Sequence, residues 1–289
     1  MPSPSHLATV LLPISNGLID ALLAEDAALG DLTTRALGIG AVPAHITFTA
    51  RDDQIASGTE EAVAILERLG ASIRYILPSG SPAPSGTLLI EATGSASMLH
   101  LGWKSAQTLM EWCAGIATTT HSMVTRAKRI RPTAVVACTR KAAPLTRSLA
   151  IRAVLAGGGV MHRINLSETV LVFPEHLAFI QGKTDQAIEK LRQTVPERKI
   201  TIEVDTIEQA ISAAKFSPDV LQLEKFSPQQ IAELRTELQF FEQAPILAAA
   251  GGINPNNITA YMEAGADIIV TSAPYSAKPC DVQVHLKPE

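Results

Sequence analysis

Aromatic residues are scarce: Phe, Tyr and Trp make up 4% of the 289 residues. The apolar content comes from Ala, Leu, Ile and Val instead, which favours helices packed on aliphatic strands over a β-sandwich. An excess of positive charge is missing too. Lysine and arginine total 24 against 28 acidic residues, a net charge of −4. That excludes the overall electrostatic footprint of a nucleic-acid binder, so any basic site must be local. Cysteine is rare. Cys113, Cys138 and Cys280 are odd in number and share no metal-ligand spacing, which reads as reduced thiols in a soluble, cytoplasmic protein. No apolar run is long enough to span a bilayer. Pro2, Pro4 and Pro13 surround the first short apolar run with no basic region before it, which argues against a signal peptide. Small anionic molecules are the expected partners, with neither nucleic acid nor membrane among them.

The length and the 46% hydrophobic content suit one large barrel or two unequal domains. The first hundred residues read as a mixed α+β unit. Helical spacing from Ser15 to Glu25, with Ser15 as its cap, precedes a polar turn from Glu25 to Thr34. Alternation from His45 to Ala50 predicts a strand, Gly58 to Leu69 a helix closed by Gly70, and Ile73 to Leu77 and Thr87 to Ala92 further strands. A helix from Leu101 to Trp112 and a second from Thr120 to Ile130 are expected on either side of Gly115, the latter stopped by Arg131-Pro132.

Beyond this point short aliphatic runs recur between helices: 134–138, 170–173, 200–204, 219–223, 246–250 and 267–271. Unbroken apolar runs of this kind indicate a parallel sheet buried on both faces. Functional groups in such folds gather where strands end, and the residues there are Thr139-Arg140-Lys141, Glu224-Lys225, Gly251-Gly252 and Ser272. The expected fold is therefore an incomplete α/β barrel with one site at its mouth.

Arg140 and Lys141 place two permanent cations at one strand end, as an anion grip or as a surface ion pair. Gly157-Gly158-Gly159 followed by His162-Arg163 adds a backbone that admits close approach and a second cationic corner. Glu203 lies mid-strand, where a carboxylate is costly unless paired. With Glu224 it suits Mg²⁺ completed by substrate phosphates, or a salt bridge to Arg140 or Lys141. Gly251-Gly252 suits a phosphate cradle before a helix starting near Pro255, or a tight turn. Ser272 offers a second phosphate contact. Cys138, His100, His121 and His176 read as structural.

In this order the motifs resemble the quinolinate phosphoribosyltransferase family, also called nicotinate-nucleotide pyrophosphorylase (carboxylating). The resemblance rests on Glu25-Asp26 to Thr34, Ala114-Gly115-Ile116-Ala117-Thr118, Thr139-Arg140-Lys141 with Pro144, Gly157-Gly158-Gly159 with His162-Arg163, Gly251-Gly252-Ile253 and Gly265-Ala266-Asp267. Trp103-Lys104, Ala137 to Lys141, Leu155 to Arg163 and Phe173-Pro174-Glu175-His176 look like its ModD branch, associated with molybdenum transport. The resemblance implies an N-terminal open α/β sandwich, residues 1–115 joined by the tail 275–289, and a seven-stranded incomplete barrel over 116–274. It implies a homodimer or an assembly of dimers, the neighbour's sandwich covering the barrel mouth and supplying Lys104 across the interface. Phosphoribosyl would pass from phosphoribosyl pyrophosphate, with Mg²⁺, to a carboxylate-bearing nitrogen heterocycle. Lys104, Arg140, Lys141, His162 and Arg163 would hold substrate, and Lys141, Glu203 and Glu224 would be catalytic. Glu203 and Glu224 would face the metal, and Gly251, Gly252 and Ser272 the phosphate.

The departures from the family pattern fall in the pocket. Trp103-Lys104-Ser105 replaces Glu-Arg-Thr, Phe173-Pro174-Glu175-His176 replaces Lys-Asp-Asn-His, Glu224-Lys225 replaces Asp-Asn, and Ala250 replaces Ser. A charge-assisted contact is worth roughly 1.5–3 kcal/mol, so these losses point to a changed acceptor or to weak activity on quinolinate. A non-catalytic anion-binding protein associated with molybdate transport or utilisation is the alternative.

Overall fold

The structure, a computed structural model, describes residues 14–180 and 184–289. The N-terminal run containing Pro2, Pro4 and Pro13 lies outside the described residues. Contacts between Cα atoms divide the chain into two units: residues 1–121, 143–158 and 274–289, and residues 122–142 and 159–273.

The first unit opens with α1 (Asn16–Ala27). Ser15 occupies its cap position but its side chain makes no capping hydrogen bond. Asp31 does cap α2 (Leu32–Ala36), accepting from the Thr33 amide at 2.9 Å. Then follow β1 (Pro43–Ala50), β2 (Gln54–Ile55), α3 (Thr59–Arg68), β3 (Ser72–Ile76), β4 (Pro82–Ala83) and β5 (Leu88–Ser95). In β1 the alternate residues Ala44, Ile46, Phe48 and Ala50 are buried, the period of a strand with one face on a core. Ala62, Ile65 and Leu66 of α3 are buried, and α3 packs on β3 and β5.

The two helices expected around Gly115 are one, α4 (Ala96–Ile130), 35 residues long. Glycine inside a helix costs about 1 kcal/mol relative to alanine, but it does not by itself break one. Gly115 serves close approach: a Cβ there would lie 2.5 Å from the Lys278 carbonyl oxygen. Gly157 has a similar role. A Cβ on it would lie 2.4 Å from the Ala117 carbonyl oxygen and 2.6 Å from Thr120 Cβ. This first glycine of the triplet thus packs against α4 rather than admitting a ligand, because the helix it ends abuts α4 there.

The chain continues with β6 (Val135–Cys138), α5 (Arg147–Ala156), β7 (Val160–Met161), β8 (Val170–Val172), α6 (Pro174–Ala178), α7 (Thr184–Thr194), β9 (Ile200–Val204), α8 (Ile207–Ala214), β10 (Val220–Glu224), α9 (Pro228–Leu238), β11 (Ile246–Ala250), α10 (Ile258–Glu263), β12 (Ile268–Thr271) and β13 (Val282–Pro288). By its contacts α5 goes with the first unit. The first unit's sheet is antiparallel in the order β13-β1-β5-β3.

The second unit is the expected incomplete barrel: seven parallel strands in the order β7-β6-β12-β11-β10-β9-β8. Outward residues such as Leu221, Leu223, Leu247, Ala249 and Ile269 join one large core with the helices. The opposite face carries a smaller cluster of Val220, Ala248, Ala250 and Val270. Two of these four are alanines, which leaves room above them for a pocket. Among the described residues no helix is long and apolar enough to cross a membrane.

Candidate active site

The strand ends of the second unit converge on a pocket of about 360 Å³. Backbone bonds beyond the strands fix its rim. The Thr139 amide donates to the Thr271 carbonyl at 2.9 Å, His162 to Cys138 at 2.8 Å and Lys225 to Ala250 at 2.8 Å. Arg140, Lys141, His162, Arg163, Glu203, Glu224, Gly251, Gly252 and Ser272 all line it. Lys104 does not. It lies on α4 in the first unit, over the Trp103 ring at 4.9 Å and donating to Gln107 at 3.0 Å.

One wall is cationic. Arg163 is 7% exposed, and among the described residues neither it nor Arg140 has a carboxylate ion-pair partner. Burial, then the charge of Arg140, lowers its pKa below the ordinary arginine value. Burial, then Arg163 and Arg140, pushes the His162 imidazole below its usual 6.5, with Glu168 opposing. Such mutual repulsion, only partly offset by Glu168, is relieved by a bound anion. We therefore expect anion binding to draw a proton onto His162. The affinity for benzenesulfonate, which does not titrate near neutrality, should rise as pH falls from about 7.5 to 6. One proton sets a limit of about tenfold per pH unit. Calorimetry should show this rise in the natural protein and a flat profile in His162→Gln.

The facing wall is acidic. Glu203 and Gln222 are register partners on β9 and β10, so their side chains share a face. Gln222 Nε2 donates to Glu203 Oε2 at 2.5 Å, the partner Glu203 takes rather than a salt bridge to Arg140 or Lys141. Burial raises the Glu203 pKa. The Gln222 hydrogen bond opposes that, while the Glu224 and Glu175 charges reinforce it. Gln222 is 5% exposed and its Oε1 is buried without a hydrogen-bond partner. The sequence reading passed over this residue, although one amide inside the apolar run Val220-Leu221-Gln222-Leu223 was a usable signal.

Two glycines complete the rim. Gly251 has φ +92 and a Cβ there would lie 2.8 Å from the Lys225 amide nitrogen, so the turn itself requires glycine. A Cβ on Gly252 would meet nothing within 4 Å. The following helix begins at Ile258, not near Pro255, and is only six residues long. Asn254 and Asn257 hold the intervening turn: the Asn254 amide donates to Asn257 Oδ1 at 2.8 Å and both side chains donate to the Gly252 carbonyl. Phe173 closes the pocket beside the cations, its ring 5.7 Å from the Arg163 guanidinium and stacked on His176 at 5.6 Å.

Comparison with known proteins supplies the lineage. The profile of the quinolinate phosphoribosyl transferase N-terminal domain matches residues 31–114, and that of the C-terminal domain matches residues 116–285. The chain belongs to the quinolinate phosphoribosyltransferase family. As a member it is a pentosyltransferase. An Escherichia coli O157:H7 protein provisionally named pyrophosphorylase ModD is 43% identical over 277 residues, 95% of this chain and 98% of its own. A Methanocaldococcus jannaschii protein provisionally named nicotinate-nucleotide pyrophosphorylase (carboxylating) is 30% identical over 270 residues, 91% of this chain and 94% of its own. The crystal structure of NadC from Streptococcus pyogenes superposes with a TM-score of 0.86 at 23% identity, covering 96% of this chain and 100% of that one. The nicotinate-nucleotide pyrophosphorylase of Francisella tularensis gives 0.85 at 22%, covering 95% and 98%. At such identities the likeness establishes the fold.

Proposed function

We propose that this protein transfers phosphoribosyl from phosphoribosyl pyrophosphate to the ring nitrogen of an anionic heterocycle, as a ModD-type pyrophosphorylase with an acceptor other than quinolinate. The observation that carries the reading is one pocket lined by both charges: Arg163, Arg140 and His162, the two arginines without an ion-paired carboxylate among the described residues, together with Glu203 and Glu224. Both substrates are anions that repel one another, and a fixed cationic cluster offsets that repulsion. Arg140, Arg163 and His162 would seat the acceptor's acid group, with Lys141 reaching towards both substrates. The acceptor nitrogen's lone pair forms the new bond to the ribosyl carbon. The bond from that carbon to the pyrophosphate oxygen breaks, and pyrophosphate leaves with its electrons. Positive charge grows on the ribosyl group meanwhile, and the Glu203 and Glu224 carboxylates stabilise it.

The same two carboxylates suit Mg²⁺. No cluster of three or more acidic, His or Cys ligands exists among the described residues, but Mg²⁺ is commonly held by one or two carboxylates plus substrate phosphates. Burial is the main cause of the raised Glu203 pKa and the Glu224 charge adds to it; a cation shared by the two carboxylates would relieve that repulsion. Bound there, Mg²⁺ would neutralise charge building on the departing pyrophosphate. Gly251, Gly252 and Ser272 would take the 5′-phosphate. In a homodimer Lys104 would serve the neighbouring subunit's site.

The apolar Phe173 ring on the pocket wall supports a changed acceptor. The non-catalytic alternative has no support: the pocket opposes cations to carboxylates, and the relatives bear pyrophosphorylase names. Titrating phosphoribosyl pyrophosphate with Mg²⁺, then screening heterocyclic acids for pyrophosphate release, tests the reading. Donor binding and release with at least one acid other than quinolinate are expected. Absence of donor binding would overturn the transferase reading, and efficient turnover of quinolinate would overturn the changed acceptor.

A further inference from the structure

The barrel has a seam. Among the described residues β7 and β8 are the two edges of the seven-stranded sheet, and β8 pairs only with β9. Along β8 lies a second cavity of about 840 Å³. Its walls are apolar: Val170 and Val172 from the strand, Leu177 from α6, and Ile188 and Leu191 from α7. Arg140, Arg163, Leu171 and Phe173 line both this cavity and the active-site pocket. A space of this size falls within the range of small-molecule sites, with a mostly apolar lining and a few convergent polar groups. At the shared end two guanidiniums stand without a carboxylate partner among the described residues, and Thr169, His176, Lys190 and Thr194 are the other polar members of the lining.

That charge asymmetry selects the occupant. A purely apolar molecule would leave Arg140 and Arg163 uncompensated, and a small inorganic anion would leave the apolar walls unfilled. A molecule with an acid group at one end and an apolar body at the other satisfies both ends. We propose that the seam cavity holds an apolar arm of the acceptor, joined to the anionic group seated between Arg140 and Arg163. The Phe173 ring, on the boundary of both spaces, forms the threshold over which the arm passes. This inference rests on the phosphoribosyl-transfer reading and narrows its acceptor to amphiphilic heterocyclic acids.

Two sulfonates separate head from arm: methanesulfonate and naphthalene-1-sulfonate, titrated calorimetrically into the full chain. Naphthalene-1-sulfonate should bind at least about tenfold more tightly. Ala187→Phe, which fills the cavity from α7, should remove that advantage while leaving methanesulfonate and phosphoribosyl pyrophosphate binding unchanged. Thr169→Trp fills the same space from the loop before β8, so a folding defect in one variant leaves the other decisive. Arg163→Ala should weaken both sulfonates alike. Equal affinity for the two sulfonates, or an advantage that survives a folded filling variant, overturns the proposal. The donor titration separates the two readings. If phosphoribosyl pyrophosphate does not bind, the transferase reading fails and the acceptor proposal with it, whatever the sulfonates do. If it binds while the naphthalene advantage is missing, only the seam proposal falls.

Discussion

Replacing Arg140 with alanine should lower kcat/KM for pyrophosphate release at least about 100-fold, equivalent to about 2.7 kcal/mol. A lost charge-assisted contact is worth roughly 1.5–3 kcal/mol, and on the proposed reading Arg140 would hold substrate in both ground and transition states. The fold should survive. Arg140 is one of the charges that depress Arg163 and His162, so its removal eases repulsion inside the pocket. A melting temperature equal to or above that of the natural protein should therefore accompany the lost activity. Arg140→Lys keeps the charge but not the forked grip and should fall between the two. Undiminished release by Arg140→Ala would place the chemistry elsewhere.

The largest effect on stability is expected in the first unit, at Arg152. Its guanidinium on α5 ion-pairs with Glu61 on α3, whose residue exposure is 1%. Arg152→Met strands a buried carboxylate, at a cost of about 3–5 kcal/mol near neutral pH. Burial already raises the Glu61 pKa, with Arg152 opposing, and losing Arg152 raises it further. A carboxyl with a raised folded pKa favours the native state below its unfolded pKa and loses that contribution as pH rises through the folded value. The penalty of Arg152→Met should accordingly shrink on acidification. Glu61→Gln combined with Arg152→Met should recover most of the loss. Urea titrations at several pH values read all three; a penalty independent of pH would mean that Glu61 is not the group left stranded.

The parallel strands were legible because short aliphatic runs, interrupted only by Thr201, Glu203 and Gln222, recur between helices, and the residues just beyond them did converge on one pocket. The two residues of β7 carry no period and were invisible as a strand. Gly115 and Gly157 misled for a common reason. Glycine signals that something approaches closely, but the sequence does not say whether it is a ligand, a turn or another backbone; here it is the 278 carbonyl and the 117 carbonyl. Gln222 was missed because attention went to charged groups, and a neutral amide reveals its role only once its register partner Glu203 is known. Lys104 is the reverse case: a residue prominent by resemblance that the pocket's own lining does not include.

One feature of the first unit bears on the birth of the chain. β1 pairs with β13, and Arg51 and Asp281, 230 positions apart, meet at the end of that ladder. On the ribosome β1 and β5 emerge early, but β13, the neighbour of β1, follows only after all the barrel strands. Until then β1 presents a bare row of backbone groups beside the apolar face of Ile46 and Phe48, the kind of edge that recruits other chains. Synthesis of the entire barrel intervenes before the edge is covered, so this protein passes through a prolonged adhesive infancy in which chaperones have most to do.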